Sequence, residues 1–248
     1  MSQLAQTRPR SIAEIIDASF GFYRSRFGDL LVISALLIVP PVLLAALAPD
    51  GIGLVIRFIG NLMYIAGQGA IAILVAAAIE RNETISAGEV FRRLGRKWIT
   101  VILVSISAGL MMFIGFVLLI IPAFIALAWT ATAVPVAAIE GLSSGDSITR
   151  SRALARGRIG HILGTMLLVW LILFLLFIGA ALVLGIVVAM LHVPTSFVTL
   201  LVQLVMVPVF PLVGVVATML YYDLRVRSDG ADVAAMIDAL PATPAQSA

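Results

Sequence analysis

The chain has 248 residues, of which 62% are hydrophobic and 12% are charged, and its formal net charge is +3. A soluble domain has about 25% charged residues, so this chain has too few polar side chains to cover a water-exposed globule, whereas a bilayer accepts apolar side chains at the protein surface. The absence of cysteine excludes disulfides, thiol catalysis and cysteine-based metal sites. The composition predicts an all-α, multi-pass integral membrane protein.

The charge pattern argues against a nucleic-acid partner, although the isoelectric point is about 9.8. The basic residues stand in small groups at the ends of apolar blocks, which is the topology signal of membrane proteins. We therefore expect membrane lipids as partners, together with a protein partner on the basic side, and no nucleic acid.

The chain begins with a short polar stretch, residues 1–10, which predicts a flexible tail. Between Ser11 and Phe27 apolar residues recur at helical spacing, which predicts an amphipathic helix in the membrane interface. Residues 11–235 are predicted to form a single membrane domain, and residues 236–248 a second flexible tail.

Six apolar blocks are close to or above the ~20 residues that cross a bilayer core. Their predicted bounds are residues 30–48, 61–79, 98–121, 122–139, 162–191 and 196–222. Pro40 and Pro41 predict a kink in the first span, and Pro122 predicts a tight hairpin between the third and the fourth. The fifth block, about 45 Å long as a helix, exceeds the bilayer core and has to tilt, bend or project.

A cleaved signal peptide is the alternative for the first block, because Ala46-Leu47-Ala48 matches the small-residue pattern of a cleavage site. The 29 residues before this block are far longer than an ordinary n-region, and they contain the amphipathic helix. A retained transmembrane span is therefore the preferred interpretation.

Six spans place both termini on one side of the membrane, together with 15 of the 16 basic residues. Arg57, in the predicted outer connection over residues 49–60, is the exception. The positive-inside rule then places both termini in the cytoplasm. Lys97 is the only lysine, which fits a GC-rich bacterial genome, so the predicted location is the bacterial inner (plasma) membrane.

A threefold pattern precedes the odd-numbered spans. Ser11–Glu14, Ser86–Glu89 and Ser143–Asp146 each place a serine three residues before an acid, as in a capping box at the start of a helix. Basic residues and a pair of spans follow each time. The sequence therefore predicts three hairpins, each preceded by a short amphipathic interfacial helix.

No catalytic constellation is found along the chain. An intramembrane site usually shows an ionisable residue at mid-depth. Glu80 and Glu140 instead stand at the ends of spans, where we expect both carboxylates to be solvated. For Glu140, pairing with a following arginine is the alternative. His161 and His192 have no partners nearby in sequence for a metal or a triad. We predict no enzymatic activity, no metal and no cofactor.

Polar residues within the spans allow two interpretations. Asn61, Tyr64 and Gln68 share one helix face, where they line a small polar cavity or form interhelical hydrogen bonds. A ridge of small residues in the fifth span predicts a face for close packing against another helix, and its members are Ala181, Gly185 and Ala189.

Three stretches together carry a resemblance to a known family. They are RPRSIAEIIDASFGFYR at residues 8–24, IPAFIALAWTATAVPVAAIEGLSSGDSITRSRALARGRIGHILG at 121–164 and LYYDLRVRSDGADV at 220–233. Over roughly residues 8–235 the chain resembles the glycerophosphoryl diester phosphodiesterase membrane-domain family, most specifically in the last stretch. The resemblance implies a stand-alone membrane region without the soluble phosphodiesterase barrel, and it implies no phosphodiesterase activity.

The leading hypothesis is a non-enzymatic module that organises lipid or a partner protein through a basic cytoplasmic face. The candidate contacts with a partner or a lipid headgroup are Glu140, Arg150, Arg152, Arg156, Arg158, Asp223, Arg225 and Arg227. The alternative is a transporter or channel for a small or lipidic solute, which the proline-containing spans and the polar face motivate. A closed, dry bundle without a polar cavity near Asn61 would argue against that alternative.

Overall fold

The computed structural model describes residues 8–95, 97–191 and 195–238. Within these ranges the chain is entirely α-helical apart from short connections and contains no strand. The helices are α1 (Ile12–Ser25), α2 (Phe27–Leu47), α3 (Asp50–Glu80), α4 (Ala87–Leu94), α5 (Lys97–Leu118), α6 (Ile120–Thr130), α7 (Ala133–Glu140), α8 (Ser144–Ala155), α9 (Ile159–Leu191) and α10 (Thr195–Asp238). Residues 1–7 and 239–248 of the predicted tails and the turn at 192–194 lie outside the described residues.

Six stretches are long and apolar enough to cross a membrane, which confirms the predicted all-α, six-span class. They are Phe27–Leu47, Gly51–Glu80, Lys97–Leu118, Ile120–Glu140, Ile159–Met190 and Leu204–Gly230. The three short helices α1, α4 and α8 precede the first, third and fifth of these spans, as the threefold pattern predicts.

Serine caps begin all three short helices. The hydroxyl oxygens of Ser11, Ser86 and Ser143 each accept from the backbone N–H three residues later, at 3.3 Å. Only the first cap is a complete capping box, because the Glu14 carboxylate accepts in return from the Ser11 N–H at 2.8 Å. That bond, together with Arg8, holds the pKa of the Glu14 carboxyl below its usual value.

Two helices extend beyond the apolar blocks that predicted them. Residues 49–60, predicted as an outer connection, are helical from Asp50 onward, so only Ala48 and Pro49 connect α2 to α3. At the other end of the chain, α10 does not stop at residue 222 but continues through Asp238. Both differences have one cause, because a helix satisfies its own backbone hydrogen bonds and continues beyond its apolar part.

The fourth span consists of two helices rather than one. The turn from α5 comes at Leu119, and Pro122 lies in the first turn of α6, where its missing N–H leaves no bond unmade. A break at Ala131 and Thr132 then separates α6 from α7. Pro135 explains the break, since it has no N–H to donate to the carbonyl of residue 131.

The half of α3 nearest Glu80 is the centre of the bundle. Residues 70–78 are all buried, and α3 packs against α2, α5, α7 and α10. Alanine makes up much of this segment, so neighbouring helices can approach it closely from several sides. Gly214 of α10 allows one such approach, because a Cβ there would lie 3.1 Å from the Ile71 Cβ and 2.6 Å from the Gln68 Oε1.

Helix α9 is the least packed of the six spans. Its first half contributes buried residues such as Ile162 and Met166, and most of the rest is exposed. The predicted close-packing ridge of Ala181, Gly185 and Ala189 is wrong within this chain, because all three residues are exposed. No other part of the chain that the structure describes comes within 4 Å of a Cβ built at Gly185.

We expect Gly214→Val to lower the free energy of unfolding by about 1–3 kcal/mol, because the added methyl groups would overlap Ile71. Gly185→Val is the matched control, since it makes the same exchange in a helix at a position with open space. Thermal unfolding of both variants in detergent micelles measures the difference. Equal unfolding midpoints would contradict close packing of α10 on α3.

Candidate functional site

The polar side chains of α10 gather at one end of the bundle, which we call the polar end. There α10 carries Tyr221, Tyr222, Asp223, Arg225 and Arg227, and it meets the first turn of α9 and the last turns of α3 and α7. Residues four apart share a helix face. Tyr221 with Arg225, and Asp223 with Arg227, therefore form two separate networks.

Asp223 is the centre of the first network, and its side chain is fully buried. One carboxylate oxygen accepts from the backbone N–H of Arg10 at 2.6 Å. The other accepts from Arg227 Nε at 2.7 Å and lies 3.1 Å from His161 Nε2. These contacts compensate for the loss of water around the carboxylate. They join the segment before α1, the start of α9 and the end of the last span at one side chain.

Arg227 completes this network around the N-terminal segment. Its Nη2 donates to the backbone carbonyl of Arg10 at 2.6 Å, so Arg10 is held through both its N–H and its C=O. Arg158 Nη2 donates in turn to the backbone carbonyl of Arg227 at 2.7 Å. Arg10 is buried, so the predicted N-terminal tail does not extend that far.

The second network holds the carboxylates at the ends of α3 and α7. The Tyr222 hydroxyl donates to Glu80 and the Tyr221 hydroxyl donates to Glu140, both at 2.9 Å. Arg225 Nη1 lies 3.8 Å from Glu80 and donates to the Tyr221 hydroxyl at 3.4 Å. Both glutamates therefore have partners within the chain, and through them α10 contacts the ends of α3 and α7.

Glu140 has a further partner in α8. Arg150 Nε lies 3.5 Å from Glu140 Oε1, which is the pairing with a following arginine that the sequence allows. Across the same junction the hydroxyls of Thr132 and Ser151 are 2.9 Å apart in a buried hydrogen bond. The break in the fourth span therefore places polar groups where α8 can bind them.

Most of the predicted partner or headgroup contacts are engaged within the chain. Six of the eight belong to the two networks or to the α7–α8 pair, and they are Glu140, Arg150, Arg158, Asp223, Arg225 and Arg227. Arg152 lies over the Trp129 ring, 4.1 Å from its centroid, and Arg156 is exposed. The polar end uses its arginines largely to hold helices together.

No group of three or more histidine, aspartate or glutamate side chains that could hold a metal ion occurs among the described residues. His161 has its partner in Asp223, and His192 lies outside the described residues. The expected absence of a cofactor stays a prediction.

A cavity of about 1120 Å³ lies between α2, α3, α9 and α10, away from the polar end. It is partly open rather than enclosed. Its wall is mostly apolar and includes Ile38, Val42, Trp170, Leu173, Phe174, Phe177, Met206 and Phe210. The cavity therefore lies in the half of the bundle that lacks the polar networks.

A polar stripe on α3 interrupts the apolar wall. Arg57, Asn61 and Tyr64 all line the cavity, and their spacing of four and three residues places them on one helix face. The Tyr64 ring packs against Phe210 of α10, with ring centroids 4.1 Å apart. Gln68, the third residue of the predicted polar face, is instead half-buried beside Gly214 and does not line the cavity.

The wall opposite the polar stripe comes from α9. The side chains of Trp170 and Phe174 are each 59% exposed, because α9 has its packing contacts with α1, α6 and α10 mainly through its first half. Aromatic residues on this helix thus face a partly empty space.

Reasoning from the sequence identified Asn61 and Tyr64 but not the rest of this site. Arg57 was visible as the one exception to the charge asymmetry, and it precedes Asn61 by one helical turn. Because residues 49–60 were predicted to be a connection, Arg57 was placed outside the helix and was not recognised as lying on the same face as Asn61. The residues of α9 show no comparable signal within an unbroken apolar run.

The chain matches no protein-family model, no curated protein and no solved structure. Its function is therefore inferred from the polar end and from the cavity.

We expect Asp223→Ala to lower the free energy of unfolding by about 3 kcal/mol or more, because Arg227 and His161 would lose a buried charged partner. Asp229→Ala is the control, since Asp229 is exposed on the same helix and its loss should change stability by less than about 0.5 kcal/mol. Unfolding in detergent micelles, followed by circular dichroism, measures both. Similar effects of the two substitutions would show that Asp223 is not a structural centre.

Proposed function

We propose that this protein is a non-enzymatic, multi-pass membrane protein that takes up a lipidic solute from the bilayer, for its transport or its organisation. One observation carries the proposal: a partly open, apolar cavity of about 1120 Å³ with Arg57, Asn61 and Tyr64 on one wall. Ligand sites in proteins typically measure about 300–1,000 Å³ and combine an apolar lining with a few polar groups. This cavity is slightly larger than that range and has the same mixed lining, which suits a lipidic solute.

The polar end supports a lipid- or partner-organising role less strongly than the cavity does. Six of its eight candidate residues have hydrogen-bond or ion-pair partners in the chain, and Arg152 packs over the Trp129 ring, which leaves fewer charges for an external ligand. Arg24, Arg81 and Arg156 are exposed there, and they can attract anionic headgroups by about 1 kcal/mol each. We assign them to anchoring and the cavity to solute binding.

The resemblance to the glycerophosphoryl diester phosphodiesterase membrane-domain family remains a proposal. Its most specific motif runs from Tyr221 to Arg227, and these residues hold the polar end together. That role supports a shared architecture and gives no support to a shared phosphodiesterase activity.

We infer a location in the bacterial inner (plasma) membrane with both termini in the cytoplasm. The support is the sequence pattern, in which 15 of the 16 basic residues fall in segments that are predicted to lie on one side of the membrane. The cavity then lies toward the opposite leaflet. Since the chain has no cysteine, introduced cysteines can report this orientation without background.

We expect Gly51→Cys to react with a membrane-impermeant maleimide in intact cells, and Gly145→Cys to react only after permeabilisation. The two positions are a matched pair, because each is an exposed glycine with open space around its Cβ, one on each side of the proposed topology. Gel-shift of the labelled protein measures the reaction. Labelling of Gly145→Cys alone in intact cells would invert the proposed orientation.

We expect the double variant Ala46→Trp, Ala180→Trp to bind lipidic solute roughly tenfold more weakly, a change of about 1.4 kcal/mol, because both residues line the cavity and the indoles would occupy it. Leu47→Trp, Leu182→Trp is the control, since these exposed neighbours do not line the cavity. Lipid retained by the purified proteins after a detergent wash, counted by mass spectrometry, measures binding. Equal retention by both variants would refute the proposal.

A further inference from the structure

Arg57 is a cation in the cavity wall without a partner among the residues that the structure describes. Its guanidinium has no hydrogen bond or ion pair with any of them. It stands seven residues from the start of α3, about 10 Å along the helix axis. A charge near a bilayer core is costly unless water, a carboxylate or a phosphate compensates for it. We therefore look for its partner outside the chain.

The groups beside Arg57 favour an anion. Asn61 and Tyr64 continue the stripe along α3 for about 10 Å, and their amide N–H and hydroxyl groups are hydrogen-bond donors. No aspartate or glutamate lines the cavity among the described residues. A guanidinium binds phosphate through paired N–H donors. Zwitterionic phospholipids also carry a phosphate, but their ammonium group offsets its charge, so the net charge at Arg57 favours an anionic headgroup.

The remaining wall favours a ligand with a long apolar part. Trp170, Phe174 and Phe177 of α9 face the side of the cavity opposite the polar stripe. Trp170 and Ala180, both lining residues, are ten residues apart, so the α9 wall extends for about 15 Å. A free inorganic anion would leave this length unfilled.

We propose that the cavity binds an anionic phospholipid from the bilayer, with its phosphate at Arg57 and its acyl chains between α9 and the α2–α3–α10 wall. This inference rests on the proposed function and specifies its solute. Simple snorkelling of Arg57 to the membrane surface is the competing account, and it predicts no enrichment of anionic lipid at the depth of Trp170.

Trp170 makes the test possible, because it lines the cavity and the full chain has only two other tryptophans. Trp98→Phe and Trp129→Phe leave it as the sole fluorophore in protein reconstituted into phosphatidylcholine vesicles. We expect phosphatidylglycerol with brominated chains to associate with the Trp170 site roughly fivefold more strongly than brominated phosphatidylcholine, as about 1 kcal/mol from one basic residue implies.

Arg57→Gln should abolish this preference, and Arg81→Gln should retain it, because Arg81 caps the opposite end of the same helix and is exposed. Preference that persists in folded Arg57→Gln protein would overturn the inference. If that variant does not fold, a salt titration of the Arg57 protein decides, since a preference unchanged by ionic strength also overturns it.

The remaining outcomes separate the inference from the proposed function. The double variant Ala46→Phe, Ala180→Phe fills the cavity without adding an indole. If both lipids associate equally with the Trp170 site and this variant abolishes the association, anionic selectivity is refuted and solute uptake is left intact. The reference is a protein whose sole tryptophan is introduced by Leu182→Trp, at an exposed position. If brominated lipid quenches Trp170 no more than it quenches this reference tryptophan, both the anionic selectivity and the proposed solute uptake are refuted. Loss of the preference on adding inorganic phosphate would assign the site to a water-soluble anion and overturn the inference.

Discussion

The buried carboxylate of Asp223 is the group on which the arrangement of the polar end depends. Helices in a bilayer gain little hydrophobic energy from packing together, so polar contacts contribute strongly to where they meet. A buried charge also requires that its hydrogen-bonding capacity be used. Asp223 meets this requirement with donors from the segment before α1 and from α10, and it contacts His161 at the start of α9. Three separate parts of the chain are thereby brought to one point.

The cavity is explained by the packing of α9, which has polar contacts at one end of the bundle and few contacts at the other. Helix α9 is held near its start, where Arg158 and His161 join the Asp223 network. Beyond Trp170 its side chains are mostly exposed, several of them at the cavity, and the space between α9 and the rest of the bundle remains partly open. The centre of the bundle, residues 70–78 of α3, lies in the packed half. The solute site that we propose thus lies in the half of the bundle that lacks the polar networks.

Features that depend on neighbouring residues were predictable. The capping serines Ser11, Ser86 and Ser143 act as the sequence indicates, because a cap needs only residues within one turn. The boundaries of α3 and α10 were not, since hydropathy measures which residues enter lipid and not where backbone hydrogen bonding ends. The error at α3 had a consequence, because it separated Arg57 from the polar stripe to which it belongs.

By itself, the sequence determined the class of protein, the number of spans, the asymmetry of charge and the starts of the interfacial helices. Each of these follows from composition or from residues close together in the chain. Only the tertiary structure decided that Asp223 binds the Arg10 backbone, 213 residues away, and that Tyr221 holds Glu140, 81 residues away. It also decided that Arg57 and Trp170 share a cavity. Apolar helices of similar composition can pack in many ways. One arrangement is selected by a few polar contacts and by close approaches at glycine, and these contacts are made between residues that are distant in sequence.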